Sequence, residues 1–313
     1  MSKLALIFPG QGSQAAGMGK GLHDAFPEAR AVFDAVDAAL GEKLSSLCFE
    51  GPDDQLKLTA NTQPSILTVS AAAAAVLAAR GVKPDLVAGH SLGEYSALVA
   101  AGALSAAGAA RAVRARGTFM QEAVPAGQGA MSAVLGLDPE RVRVICESVQ
   151  AATGQVVSPA NYNEPAQTVI AGSVAGVAAA GDKLKEAGAR RVLPLPVSAP
   201  FHCALMEPVK ARLEPVLRAL SWSQPAVPVV TNVEARANRE VSRIVPLLVE
   251  QVTAPVRWVE IVQELARLGV GRVVEVGPGA VLGGLVRRID KGIEVHSVSD
   301  PASLEKTLAA LGA

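Results

Sequence analysis

The chain has 313 residues, 50% hydrophobic and 19% charged. That suffices for one large domain, or a large one carrying a smaller insert, and excludes global disorder. Lys+Arg and Asp+Glu both total 29, a formal charge of zero that argues against a nucleic-acid partner. In chain order, residues 3–8 read as a buried strand and Pro9–Ala15 as a loop. Gly10-x-Gly12-x-x-Ala15 after a strand matches dinucleotide-binding spacing. That motif also wants an acid ending a second strand about 20 residues on. Here Asp34 and Asp37 lie within residues 28–37, whose apolar spacing is helical, so the loop is not read as a nucleotide site. It can instead aim a backbone N–H or the Gln11 amide at a reacting carbonyl.

Asn61-Thr62-Gln63-Pro64 predicts a helix start, with Asn61 or Thr62 as N-cap, Pro64 in the first turn and Gly81 past the end. Asp85–Ala88 is a strand, followed by Gly89-His90-Ser91-Leu92-Gly93 and an Ala-rich helix. Gly-x-Ser-x-Gly between strand and helix is the nucleophile-elbow pattern, which presents a serine where free N–H groups favour an oxyanion. Ser105 is a second N-cap, for a helix to about Glu122 that contains Arg111, Arg114 and Arg116.

Over 126–197 the order is strand 130–137, helix 139–149, strands 155–160 and 167–171, helix 173–187 and strand 191–197. Asn161–Pro165 reads as the loop between the middle strands. This β-α-β-β-α-β order is the ferredoxin-like arrangement, so the reading is a small domain at 126–197 inserted between 1–125 and 198–313. After the loop Ser198–Cys203 come a helix to about Leu220, a strand 227–231, helices 241–252 and 257–268, and a strand 272–276. Gly277-Pro278-Gly279 reads as tight helix–strand packing before a helix 280–289, a strand 294–298 and a helix from Ser303. The alternation predicts a parallel sheet covered on both faces.

Three scattered cysteines, Cys48, Cys146 and Cys203, fit a reducing compartment better than a disulfide scaffold, and no metal-ligand spacing appears. The N-terminal apolar run is too short for a signal peptide, and the run Ala71–Ala79 too short for a bilayer. The expectation is a cytoplasmic protein, monomeric by default, with no membrane partner.

A serine nucleophile needs a base. Of His23, His90, His202 and His296, His90 adjoins the serine and points away from it, whereas His202 follows a Pro-containing loop in the C-terminal half. Asp138, Glu147, Glu164, Asp182 and Glu186, the acids weighed between Ser91 and His202, fall in the small domain, so a carbonyl in place of a carboxylate can fix the imidazole.

Eight motifs then stand in one order: Pro9-Gly10-Gln11-Gly12-Ser13-Gln14; Asn61-Thr62-Gln63-Pro64; Gly89-His90-Ser91-Leu92-Gly93-Glu94-Tyr95; Arg116-Gly117-x-x-Met120-Gln121; Asn161-x-Asn163-x-Pro165-x-Gln167; Pro200-x-His202; Gln251-x-x-x-Pro255-Val256-Arg257-Trp258; Glu275-x-Gly277-Pro278-Gly279. Together they resemble the malonyl-CoA:acyl carrier protein transacylases of fatty-acid synthesis, across essentially the whole chain. The resemblance implies an α/β-hydrolase-like parallel-sheet core with a ferredoxin-like insert. It implies Ser91 as nucleophile, His202 as base, the Gln251 carbonyl orienting His202, and Gln11 and Leu92 N–H groups as the oxyanion hole. Arg116 would pair with the malonyl carboxylate, and Met120 and Phe201 would contact substrate. Leu92 and Phe201 resemble malonyl-selective rather than methylmalonyl-selective relatives. The partners implied are malonyl-CoA and acyl carrier protein, with no metal or redox cofactor. A trans-acting polyketide acyltransferase, an acyl-thioester hydrolase and an inactive carrier-binding module are the alternatives. Arg190, Arg191, Arg287 and Arg288 are basic residues that could meet an acidic carrier, although charged surface is their commoner use.

Overall fold

The computed structural model describes residues 2–125, 127–197 and 199–312. It is a mixed α/β fold with two sheets. Strands β1 (Lys3–Phe8), β2 (Leu86–Gly89), β7 (Val229–Val230), β8 (Ala237–Asn238), β9 (Val270–Val276) and β10 (Glu294–Val298) form the first, in the order β10-β9-β1-β2-β7-β8. All neighbours in it are parallel except β7 and β8. Strands β3 (Gly129–Leu135), β4 (Val157–Glu164), β5 (Gln167–Ser173) and β6 (Arg191–Pro194) form an antiparallel sheet in the order β4-β5-β3-β6. β1 and β2 are buried almost throughout, as strands covered on both faces must be. From β1 the sheet grows one way to β2 and the other to β9, and loops meet in the crevice such a reversal leaves at the strands' C-terminal ends.

The elbow after β2 closes on itself at Gly89 and meets the end of β1 at Gly93 because these two glycines lack side chains. A Cβ on Gly89 would lie 2.0 Å from the Gly93 carbonyl, and one on Gly93 would lie 2.1 Å from the Phe8 oxygen. Backbone is there, so nothing flexible can yield. Gly93→Ala is therefore expected to destabilise the protein by about 3 kcal/mol or more, read as a lower urea midpoint. An unchanged midpoint would contradict this packing.

Several boundaries differ from expectation. The helix opened by the Asn-Thr-Gln-Pro segment runs Thr59–Ala79, so Pro64 lies inside it and neither Asn61 nor Thr62 is an N-cap. Thr62 Oγ1 instead donates to the Leu56 and Leu58 carbonyls, and burial of nearly every face offsets the missing Pro64 N–H. This 21-residue helix contains an 18-residue stretch of mean hydropathy 1.4, long and apolar enough to cross a membrane, contrary to the run length read from sequence. However, 83% of that stretch is buried inside the protein, so it is a core helix.

Asn161–Glu164 is not a loop but the second half of β4. Its outer edge is held by Tyr162 N–H donating to the Val256 carbonyl and Val256 N–H to that of Ala160. Tertiary pairing thus overrides the turn preference of Pro and Asn. β6 stops at Pro194, ahead of Pro196, and β7 is shorter than predicted, following Pro228. β8 has no counterpart among the strands expected from sequence. The last helix starts at Pro301, capped by Asp300, with Ser303 as the reciprocal partner of a capping box. The expected domain edges at 126 and 198 fall on residues outside those described.

Candidate active site

Ser91 follows β2 with φ 52°, a left-handed conformation uncommon for a side chain other than glycine. It is held there from several sides. Its N–H donates to Asn232 Oδ1 at 2.7 Å, and its carbonyl accepts from Glu94 N–H at 3.1 Å and Gln251 Nε2 at 3.0 Å. Asn232 follows β7 and donates its own Nδ2 to the Gly89 carbonyl at 2.6 Å, tying the turn to the neighbouring strand. Strain held by surrounding bonds in this way is characteristic of functional turns.

His202 also has positive φ, 59°, and the helix expected directly after Cys203 begins only at Glu207, beyond a short 3₁₀ turn, Ala204–Met206. Its Nδ1 lies 2.9 Å from the Gln251 carbonyl and 3.1 Å from that of Ala254. Both are pure acceptors, so Nδ1 carries the hydrogen and Nε2 is the free acceptor. Nε2 lies 2.7 Å from Ser91 Oγ. Two carbonyls do here what a carboxylate does in a triad, and the Ser91 hydroxyl can pass its proton to the ring.

Burial, reinforced by the Arg116 guanidinium, pushes the His202 imidazole down from 6.5 to about 3. The sign follows. Above 6.5 the ring is neutral folded or unfolded; between 6.5 and about 3 only the unfolded chain takes the proton. His202 therefore costs stability as pH falls through that window, while remaining a neutral base. Ser91 acylation is expected to show no loss of rate with a midpoint near 6.5 assignable to this imidazole, measured as single-turnover rates from about pH 5 to 8. A titration at 6.5 abolished by replacing His202 would contradict the assignment.

Arg116 is 2% exposed. It reaches the site because its helix, Ala106–Ala123, lies close on Thr59–Ala79: a Cβ on Gly117 would stand 2.6 Å from the Thr59 carbonyl oxygen. Nη1 donates to Gln63 Oε1 at 2.8 Å, and Nη2 to Gln251 Oε1 at 2.9 Å and Ser91 Oγ at 3.2 Å. Guanidinium, hydroxyl and imidazole thus meet at one point.

That point lies in a cavity of about 520 Å³. Gln11 and Leu92 line it beside Ser91, and neither backbone N–H has a hydrogen-bond partner among the described residues. Met120 and Phe201 line it, joined by Met131, Leu195 and Val197. Gln63 Nε2 lies 3.7 Å from Met120 Sδ, so the arginine and this wall share one amide.

His90 faces away from Ser91: its Nε2 meets Asn163 Oδ1 at 2.8 Å and its ring lies against Trp258. His23 packs against Phe33 and Phe49, and His296 contacts Glu294, so neither enters the site. Arg288 is paired with Glu164 at 2.8 Å. Sequence reasoning assigned no part to Asn232 or Glu94. Asn232 has no motif around it; Glu94 stood inside the elbow motif but reads locally as a first-turn helix acid.

A family model described as an acyl transferase domain matches residues 5–304. The chain is 48% identical over 311 residues to the malonyl CoA-acyl carrier protein transacylase of Bacillus subtilis, covering 99% of this chain and 98% of that protein. It is 46% identical over 309 residues to the protein of that name from Escherichia coli K12, covering 98% and 99%. Among solved structures, an acyl carrier protein S-malonyltransferase from Vibrio cholerae superposes with TM-score 0.95 at 45% identity, covering 98% of this chain and all of the other. A malonyl-transacylase in complex with a type II PKS acyl-carrier protein gives TM-score 0.95 at 45% identity, covering 99% and 100%.

Proposed function

The chain belongs to the acyl transferase domain family, and we propose that it carries a malonyl group from coenzyme A to the phosphopantetheine thiol of acyl carrier protein through an ester on Ser91. It is an acyltransferase, and the malonyl-loaded carrier it makes supplies fatty-acid synthesis. The observation carrying the mechanism is the 2.7 Å contact between Ser91 Oγ and His202 Nε2 beside the Arg116 guanidinium.

Ser91 gives its proton to His202 as Oγ attacks the thioester carbonyl. The free Gln11 and Leu92 N–H groups receive the oxyanion. The imidazolium returns its proton to the departing coenzyme A thiol, leaving malonyl-serine. The carrier's thiol then loses its proton to His202, attacks the ester, and Ser91 recovers the proton. Each half-reaction balances without electron transfer or a metal. Arg116 holds the far carboxylate with a fork of two N–H groups, a geometry an ammonium lacks. That pairing also cancels the positive charge which weakens His202 as a base, so the malonyl donor strengthens its own catalyst.

The architecture this reading adopts is an α/β-hydrolase-like core formed by residues 1–125 and 198–313, with a ferredoxin-like domain over 126–197. The order β4-β5-β3-β6, reached through a β-α-β-β-α-β chain path, supports the second part. The serine elbow at the end of a central parallel strand supports the first.

The test is a chase. Enzyme acylated with labelled malonyl-CoA is freed of donor and mixed with the phosphopantetheine-bearing carrier protein. Label moving to the carrier faster than it appears as free malonate is the expected result. Label appearing only as malonate would make the protein a thioester hydrolase instead.

A further inference from the structure

Glu94 is 3% exposed and has no part in the mechanism above. Its Oε2 accepts from Gln251 Nε2 at 2.7 Å and from Asn232 N–H at 3.1 Å. Gln251 is the hub of the site. Its backbone carbonyl holds His202 Nδ1, its Oε1 accepts from Arg116, and its Nε2 donates to both Ser91 O and Glu94. A side-chain amide turned by half a rotation would set its NH₂ against the guanidinium and its oxygen against the Ser91 carbonyl. Glu94 Oε2, an acceptor in either protonation state, makes that turned form unfavourable.

We infer that Glu94 is a positioning residue for malonyl selection: by accepting from Gln251 Nε2 it locks the amide oxygen onto Arg116 and so stands the guanidinium beside Ser91 Oγ. This deepens the malonyl-transfer reading and rests on it. Burial pushes the Glu94 carboxyl up to about 7, so both its forms are present near neutral pH. A cavity of about 10 Å³, lined by Glu94, Thr231 and Asn238, adjoins it. Because Oε2 accepts in both forms, the lock depends on where the acceptor stands, not on its charge.

Two variants separate those properties. Glu94→Gln keeps an acceptor oxygen at full reach and removes the charge. Glu94→Asp keeps the charge and withdraws the acceptor by about 1.5 Å, beyond hydrogen-bond range of Gln251. The readout is the ratio of kcat/KM for malonyl-CoA to that for acetyl-CoA. Glu94→Asp is expected to lower the ratio about tenfold or more, mostly through KM for malonyl-CoA, and Glu94→Gln to hold it within about threefold. A purely structural role would depress both donors together. A ratio unmoved in folded Glu94→Asp would overturn the inference, as would a tenfold fall in Glu94→Gln, which is decisive by itself if the aspartate variant does not fold. Wild-type enzyme is the control: if it takes no malonyl group at all, the function reading fails rather than this one.

Discussion

Ser91→Ala enzyme is expected to lose malonyl transfer by about four orders of magnitude or more while retaining its fold. The loss is large because, in the proposed mechanism, the hydroxyl is the covalent station between the coenzyme A donor and the carrier thiol that accepts the group. Without it the carrier thiol would have to meet malonyl-CoA directly in a cavity of about 520 Å³ whose imidazole and guanidinium are both aimed at Oγ. Removing one oxygen leaves His202 held by the Gln251 and Ala254 carbonyls and leaves the Ser91 N–H to Asn232 bond in place. Alanine at φ 52° is somewhat strained, as serine already is, so a modest fall in stability accompanies the loss of rate. Stopped-flow transfer assays with a denaturation curve on the same sample check both parts. Residual transfer within about a hundredfold of wild type would mean that the acyl group travels another way.

Arg116→Ala is expected to lower kcat/KM for malonyl-CoA by about a hundredfold or more, and to leave acetyl-CoA unchanged or improved. Opposite movement of the two donors is the informative feature. In the free enzyme the guanidinium spends its donors on Gln63, Gln251 and Ser91, all neutral oxygens. A malonyl carboxylate offers charged acceptors instead, and a bidentate pair away from water is among the stronger polar contacts. The acetyl donor has no such group. It meets a buried, uncancelled cation that makes His202 a weaker base. Deleting the cation removes that handicap from acetyl and the anchor from malonyl. Equal losses for both donors would show that Arg116 supports the site's structure and does not choose its cargo.

The features legible in the sequence share one property: the signal is local. The elbow announces itself because two glycines must flank the serine, and the structure shows backbone pressed against both. The element order of the antiparallel sheet is readable from local pattern, and the structure places Asp138 and Ser173 as side-chain caps where two of its helices begin. Features set by distant chain were not legible. Spacing cannot tell Arg116 from Arg111 or Arg114; only the approach of two helices at Gly117 buries it. Motif resemblance brought Arg116 and Gln251 forward. Asn232, reaching back over 141 positions to the Ser91 N–H, had neither motif nor local pattern. The second half of β4 reads as a turn because Val256, which pairs with it, lies far along the chain.

The most direct measurement is the mass of the Ser91 peptide after the protein is mixed briefly with malonyl-CoA, quenched in acid and digested. The account predicts one added malonyl group on Ser91, lost when carrier protein is supplied before the quench. An unmodified Ser91 peptide in protein that nevertheless transfers malonyl, or the group found on another residue, would contradict it.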